Sequence, residues 1–415
     1  MTTIKAFFPL ALLIAFSFGA CNPDRPSDSK PVPVDSTYPP VETSAPNSPQ
    51  YKPAFEGQTR VAGVKTKTGL EVKMLSNQLV NPWGIVSLPD GRFLITEKAG
   101  TMRIATNAGQ ISAPITGIPA VSADGQGGLL GINIDPDFAS NRMVYWSFSE
   151  NQPGGTLTAV AKGRLANDEK TIENATVIYR ALPAFASTLH YGSRIVFDKD
   201  GNLFVSTGER SNIQSRPQAQ QLNSALGKIV RITKNGQPAA GNPFTGRADA
   251  KPEIYSYGHR NVQGLAINPA TGDLWNGEFG ARGGDEINLV KPGKDYGWPT
   301  ITYSIEYSGG KIGEGITQKE GMEQPVYYWD PVISPSGMVF YNADLIPEWK
   351  NNLFMGCLSG MHIVRLVIKD NKVIGEERLA SGEQQRFRDV TVGKDGALYA
   401  VCDGQNGRFY RIGKK

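Results

Sequence analysis

The sequence predicts an all-β protein, a six-bladed β-propeller built of four-stranded antiparallel blades. Three observations carry that expectation. Six segments repeat one pattern: a short apolar strand, a turn usually holding Asp-Gly or Asn, and a second strand. The chain has 47 Gly and 28 Pro, more turn residues than a helical protein tolerates. β-Branched and aromatic residues alternate around the turns, as in antiparallel hairpins, and periodic helical faces are scarce. Two β-sandwich domains would use similar strands but would not explain the repeated placement of the turns.

Before the repeats comes a leader. "MTTIKAFFPLALLIAFSFGAC" has Lys5, an apolar run and small residues ahead of Cys21. It reads as a lipoprotein-type signal peptide over 1–20, which would leave Cys21 to carry a lipid anchor. An ordinary cleaved signal or an uncleaved anchor are the alternatives, although the apolar run is short for a membrane span. Residues 21–55 are Pro/Ser-rich and poor in aliphatics, so they predict a disordered tether. The propeller is then expected over 56–415, in an exported protein of the periplasm or cell envelope.

The repeats follow in order. They are "WGIVSLPDGRFLITE" (83–97), "GLLGINIDPDFASNRMVYWSFS" (128–149) and "GSRIVFDKDGNLFVSTGE" (192–209), then "QGLAINPATGDLWNGEFG" (263–280), "SGMVFYNADLIPEWKNNLFMGCLSG" (336–360) and "RDVTVGKDGALYAVCDG" (388–404). Their spacing of roughly 45 to 75 residues accommodates a four-stranded blade with loops. Strands from both chain ends would close one blade. Export permits a disulfide between Cys357 and Cys402, but two buried thiols are the expected state, and no Cys/His spacing matches a zinc site.

The formal net charge of +4, with 20% charged residues and no Lys/Arg run, argues against a nucleic-acid partner. Residues just ahead of each inner strand of a propeller gather on one rim. Here they are Trp83, Gln126, His190, Arg260 with Asn261, Ser334, and Arg386 with Arg388. Folding 187–210 about Lys199-Asp200 places His190 opposite Glu209. A carboxylate there would fix the imidazole's tautomer and support its protonated form, as a general base requires. Pairing across 269–272 brings Arg260 and Asn261 near Gly280 and Ala281, where a glycine-rich turn could present carbonyls to Ca²⁺. Several arginines imply an anionic occupant. Composition and spacing reach a pocket for a multiply negative ligand with a histidine base, and stop short of redox chemistry.

From Asn81 to Ile412 the chain resembles the soluble pyrroloquinoline quinone (PQQ)-dependent aldose or glucose dehydrogenases. The resemblance rests on "NPWGIVSLPDGRFLITEKAGTMRI", "DGQGGLLGINIDPDF", "LHYGSRIVF", "GHRNVQGLAINP", "GGDEINLVKPGKDYGWP" and "RFRDVTVGKDG", in that order. It implies a six-bladed propeller that oxidises the anomeric hydroxyl of an aldose to a lactone and passes electrons to an external acceptor such as a cytochrome. By position, it implies His190 as the base and Glu209 as its support, where the family usually has Asp. It implies that Gln126, Arg260, Asn261, Arg386 and Arg388 hold PQQ, whose three carboxylates account for the arginines. Gly280 and Ala281 would be carbonyl donors to a cofactor-bound Ca²⁺, with Ala281 where Pro is common. Ser359 stands where some members place a cofactor-binding Lys. Glu306 is a candidate ligand for a second calcium, and Tyr328 and Trp329 are candidates to stack on a sugar face, although two aromatics in a propeller are more often packing. The alternatives are a metal-dependent lactonase or lyase, which would cluster carboxylates on the axis, and a propeller that only binds glycan or protein.

Overall fold

The computed structural model describes residues 1–3 and 38–415. The expected signal peptide, Cys21 and the first part of the expected tether lie outside the described residues. The strand β1 (Leu70–Leu79) is followed by six sheets. The first blade comprises β2 (Pro82–Ser87), β3 (Phe93–Glu97) and β4 (Thr101–Ala105), which bridges at Met102 and Ala105 to Ile115 and Ile111. The second is β5 (Leu129–Ile134), β6 (Met143–Gln152), β7 (Gly155–Leu165) and β8 (Ile172–Arg180). The third is β9 (Ile195–Phe197), β10 (Leu203–Ser206), β11 (Lys228–Ile232) and β12 (Ile254–Tyr257). The fourth is β13 (Val262–Ile267), β14 (Leu274–Glu278), β15 (Asp285–Val290) and β16 (Tyr327–Trp329). The fifth is β17 (Pro335–Phe340), β18 (Leu353–Cys357), β19 (His362–Lys369) and β20 (Lys372–Leu379). The sixth is β21 (Phe387–Val392), β22 (Leu398–Cys402) and β23 (Gly407–Lys414), completed by β1 on its outer edge. Strands from both chain ends therefore close the ring.

Every pair of neighbouring blades shares one apolar cluster. Trp146 and Leu94 lie between blades one and two, Tyr145 and Val230 between two and three, and Phe204 and Leu265 between three and four. Trp275 and Met355 lie between four and five, Phe354 and Tyr410 between five and six, and Phe93 and Phe409 between six and one. Each fully buried large apolar side chain contributes roughly 1.5–3 kcal/mol, so the blades are held mainly face to face. Cys357 and Cys402 are free buried thiols.

Five inner strands carry a register shift near their start, in β2, β5, β13, β17 and β21. A bulge bends a strand and re-aims side chains, and these bulges hold Trp83, Gln263 and Arg388. One step further along, the repeats read Gly84, Gly131, Arg194, Gly264, Gly337 and Asp389. Blades three and six face each other across the ring, and Arg194 Nη1 meets Asp389 Oδ2 at 2.6 Å. Gly337 makes room for this axial pair, and Gly84, Gly131 and Gly264 let the neighbouring blade's backbone come close. A Cβ at Gly337 would overlap Asp389 Oδ1, and one at Gly264 would sit 2.6 Å from the Ser336 carbonyl.

The N-terminal boundary differs from expectation. Residues 38–55, read from composition as part of a flexible tether, lie against the propeller: Tyr38 bridges to Gly63, and Ser48 is 2% exposed. Hydrogen bonds, which a Pro/Ser-rich segment can make without aliphatic side chains, hold it there.

Candidate active site

His190 sits just before β9 and Glu209 just after β10; the ladder pairs Phe197 with Leu203 and Ile195 with Val205, one residue off the expected register, and Gly192 and Ser193 in left-handed conformation separate it from the pair. Their side chains meet, Nδ1 to Oε1, at 2.6 Å, and both are buried. The His190 backbone, at φ 49°, is pinned by its N–H, which donates to Gln126 Oε1 at 2.9 Å. Arg210 locks the same loop. Its guanidinium stacks on Tyr191 at 3.6 Å and donates to Thr156 Oγ1 and the Ser187 carbonyl.

With Glu209 ionised, Nδ1 carries the proton and Nε2 is left as the acceptor. The surroundings of the ring set its resting form. Burial, then the charge of Arg260, pushes the His190 pKa down to about 4 against the opposing pull of Glu209. Glu209 therefore selects the tautomer but does not make the imidazolium the resting form. A neutral imidazole is what a base must be before it takes a proton. For the histidine base that the resemblance implies, Glu209→Gln should reduce kcat by about 10²–10⁴-fold, because an amide can donate to Nδ1 and move the ring proton to Nε2. Steady-state kinetics at fixed pH, with folding checked by thermal melting, measure that loss.

Blade four joins this pair directly. Glu209 N–H donates to the Arg260 carbonyl at 2.9 Å, and Gly192 N–H to Asn261 Oδ1 at 3.0 Å. Arg260 Nη1 donates to the carbonyls of Phe279 (3.0 Å) and Gly280 (2.6 Å), so the folding-back read from the sequence holds. The Gly280 N–H is fixed by Asp285 Oδ1 at 2.8 Å, and Ala281 N–H by Ser304 Oγ at 3.0 Å.

Blade six completes the ring of contacts. Arg388 donates to Gln263 Oε1 (2.8 Å) and Asp403 Oδ2 (2.9 Å). Trp83 lies under two guanidinium groups, Arg194 at 4.4 Å and Arg388 at 5.7 Å. Arg194 Nε also donates to the Gln263 carbonyl at 3.0 Å. Arg386 stands further out, half exposed, with Asp403 at 3.4 Å.

Several buried donors in this network have no hydrogen-bond partner among the described residues: Arg194 Nη2, Arg260 Nε, Asn261 Nδ2 and Arg388 Nε. Unpaired buried donors are costly: Arg260 and Asn261 carry theirs beside the His190 loop, and Arg194 and Arg388 carry theirs around Gln263, a set that suits an anionic, acceptor-rich occupant. The Gly280 carbonyl already accepts from Arg260, so a cation at Gly280 and Ala281 would use its second lone pair or displace the guanidinium.

Sequence reasoning misplaced some residues and missed others. Tyr328 and Trp329 lie buried on the outer strand β16: Tyr328 stacks on Tyr303 at 4.0 Å, and Trp329 Nε1 donates to Glu376. They are packing residues away from the rim. Glu306 is paired with Arg216 at 2.5 Å rather than gathered with other carboxylates. Ser334 and Ser359 do meet on the rim, Oγ to Oγ at 2.7 Å. Arg194, Gln263, Asp389 and Asp403 were missed. For Arg194 and Asp389 a signal existed, since they break a position that four other repeats fill with glycine.

The family model for glucose/sorbosone dehydrogenases matches residues 79–411. The chain belongs to the glucose/sorbosone dehydrogenase family. It is 41% identical to the aldose sugar dehydrogenase YliI of Escherichia coli (strain K12) over 346 residues, 83% of this chain and 92% of that one. A crystal structure of a glucose dehydrogenase, 42% identical, superposes with a TM-score of 0.80 over 83% of this chain and all of that one. The PQQ-bound form of aldose sugar dehydrogenase from Streptomyces coelicolor, 29% identical, gives 0.68 over 84% of this chain and 99% of that one. Membership in this dehydrogenase family makes the protein an oxidoreductase, with the propeller that the repeats predicted.

Proposed function

We propose that the protein is an exported, lipid-anchored aldose dehydrogenase that uses PQQ and Ca²⁺ to oxidise the anomeric hydroxyl to a lactone. The observation that carries the reading is a carboxylate-oriented imidazole flanked by Arg260 and Asn261, each with an unpartnered buried donor. Arg260, Asn261, Arg388 and Gln126 would hold the cofactor, with Arg386 contributing from the rim. Bound PQQ supplies a quinone that accepts hydride, and a cation at the Gly280 and Ala281 carbonyls would polarise it.

The chain's own groups handle the proton. His190 Nε2 takes it from the anomeric hydroxyl, and Glu209 stabilises the imidazolium formed. The C–H electron pair leaves as hydride, so the cyclic hemiacetal loses two electrons and two hydrogens and becomes the lactone, its ring already closed. An external acceptor such as a cytochrome would take the electrons. The axis supports this reading over a lactonase or lyase, since it carries an Arg194–Asp389 pair among glycines instead of a carboxylate cluster.

Reconstituting the apo-protein with PQQ and Ca²⁺ and following dye reduction with several aldoses tests the proposal. Turnover that requires both additions is the expected result. Cofactor bound with no sugar oxidised would favour a binding propeller instead.

A further inference from the structure

The segment 38–61 approaches the carbonyl-presenting turn from behind. It is tied down at one end by Glu42, whose carboxylate pairs with Arg378 at 2.9 Å. Arg60 then donates to the carbonyls of Glu42, Ser44 and Asp330. Its centre is Asp330, a buried carboxylate between β16 and β17. Among the described residues, every hydrogen bond to that carboxylate comes from the segment. Asn47 N–H and Nδ2 donate to Oδ1 at 2.8 and 3.1 Å, and Ser48 N–H and Oγ donate to Oδ2 at 2.9 and 2.7 Å.

Asp330 in turn lies against Gly283, where a Cβ would sit 2.7 Å from Oδ1 in a backbone at φ 81°. Asn47 Oδ1 accepts from Arg282 Nε at 3.3 Å, and Ser48 Oγ reaches the Tyr303 carbonyl at 3.1 Å. The next residue, Ser304, holds the turn from both sides: its Oγ donates to the Gly283 carbonyl at 2.6 Å and accepts from Ala281 N–H. The segment lies outside the span 79–411 that matches the family model, whereas Asp330 and the turn lie within it.

We propose that Asn47 and Ser48 are positioning residues that brace the Gly280–Gly284 turn and thereby set the affinity of the site for PQQ with Ca²⁺. The proposal rests on the cofactor reading above. Its physical basis is preorganisation: a glycine-rich turn is entropically costly to order, and the brace supplies that order before the ligand arrives.

The test uses the full chain with Asn47→Ala/Ser48→Ala. PQQ is titrated in the presence of Ca²⁺, and amide hydrogen exchange is followed at 281, 282 and 284. The expected result is affinity weakened about 10-fold, faster exchange at those amides, and kcat at saturating cofactor within about twofold of the parent. Restoring the hydroxyl, as Asn47→Ala/Ser48→Thr, recovers part of the affinity. Unchanged exchange overturns the brace. Faster exchange with unchanged affinity overturns its role at the site. A parent protein that binds no PQQ refutes the cofactor reading instead, and the exchange measurement then decides the brace alone.

Discussion

Replacing His190 with alanine is expected to lower kcat by about 10²–10⁴-fold while PQQ titration still saturates, because in the proposed mechanism the ring would move the proton and other residues would hold the cofactor. The structure also sets the pH response. Burial and Arg260 hold the imidazole neutral down to about pH 4. For a base that must be unprotonated, kcat/KM of the parent should stay level as pH falls toward 5. Below about 4 it should drop close to tenfold per pH unit as the imidazolium forms. Pre-equilibrated assays across pH 3.5–8, with folding monitored at each point, measure this limb. A His190→Ala variant with undiminished turnover, or an acid limb near the ordinary histidine value of about 6.5, would remove the proposed base.

The second large effect concerns the axis. Arg194→Met should cost about 3–5 kcal/mol, since it leaves the Asp389 carboxylate buried without its partner. Burial pushes the Asp389 pKa up, while Arg194 and the Ile85 and Val390 amides pull it down. Without the guanidinium, the folded-state pKa rises further above the unfolded value. Stability from a raised carboxyl is present at low pH and lost as pH rises, so the deficit should be smallest near pH 4 and grow toward pH 8. Adding Asp389→Asn removes the buried charge and keeps an acceptor for Ile85 N–H, which donates to Asp389 Oδ2 at 2.9 Å. Most of the loss should return. Urea denaturation of the single and double variants at two pH values reads these changes. A single variant within 1 kcal/mol of the parent would show that the axial pair does not staple opposite blades.

The parts of the site that sequence reading located are those set by local pairing. Two-residue alternation and Asp-Gly turns define each hairpin. A hairpin's turn then determines, to within a residue, which flanking residues face each other, which put His190 near Glu209 and Arg260 near Gly280. The family motifs added the cofactor assignment on the same positions. Contacts that cross the ring have no such local rule. Arg194 and Asp389 are 195 residues apart, and only blade closure decides that they meet.

Composition also misled at the N-terminus. Pro and Ser report poor apolar burial, but they carry no information about a carboxylate elsewhere that can bind a segment through its amides and hydroxyls. Tyr328 and Trp329 show the converse: being aromatic predicts burial or stacking, and their place on the outermost strand of blade four selects burial. Strand pairing is a short-range property written along the chain, so the blades, their turns and the paired site residues could be read from it. Which residues lie on the axis, which donors stay unpaired, and which segment backs the carbonyl turn depend on six sheets closing at once, and only the folded ring settles them.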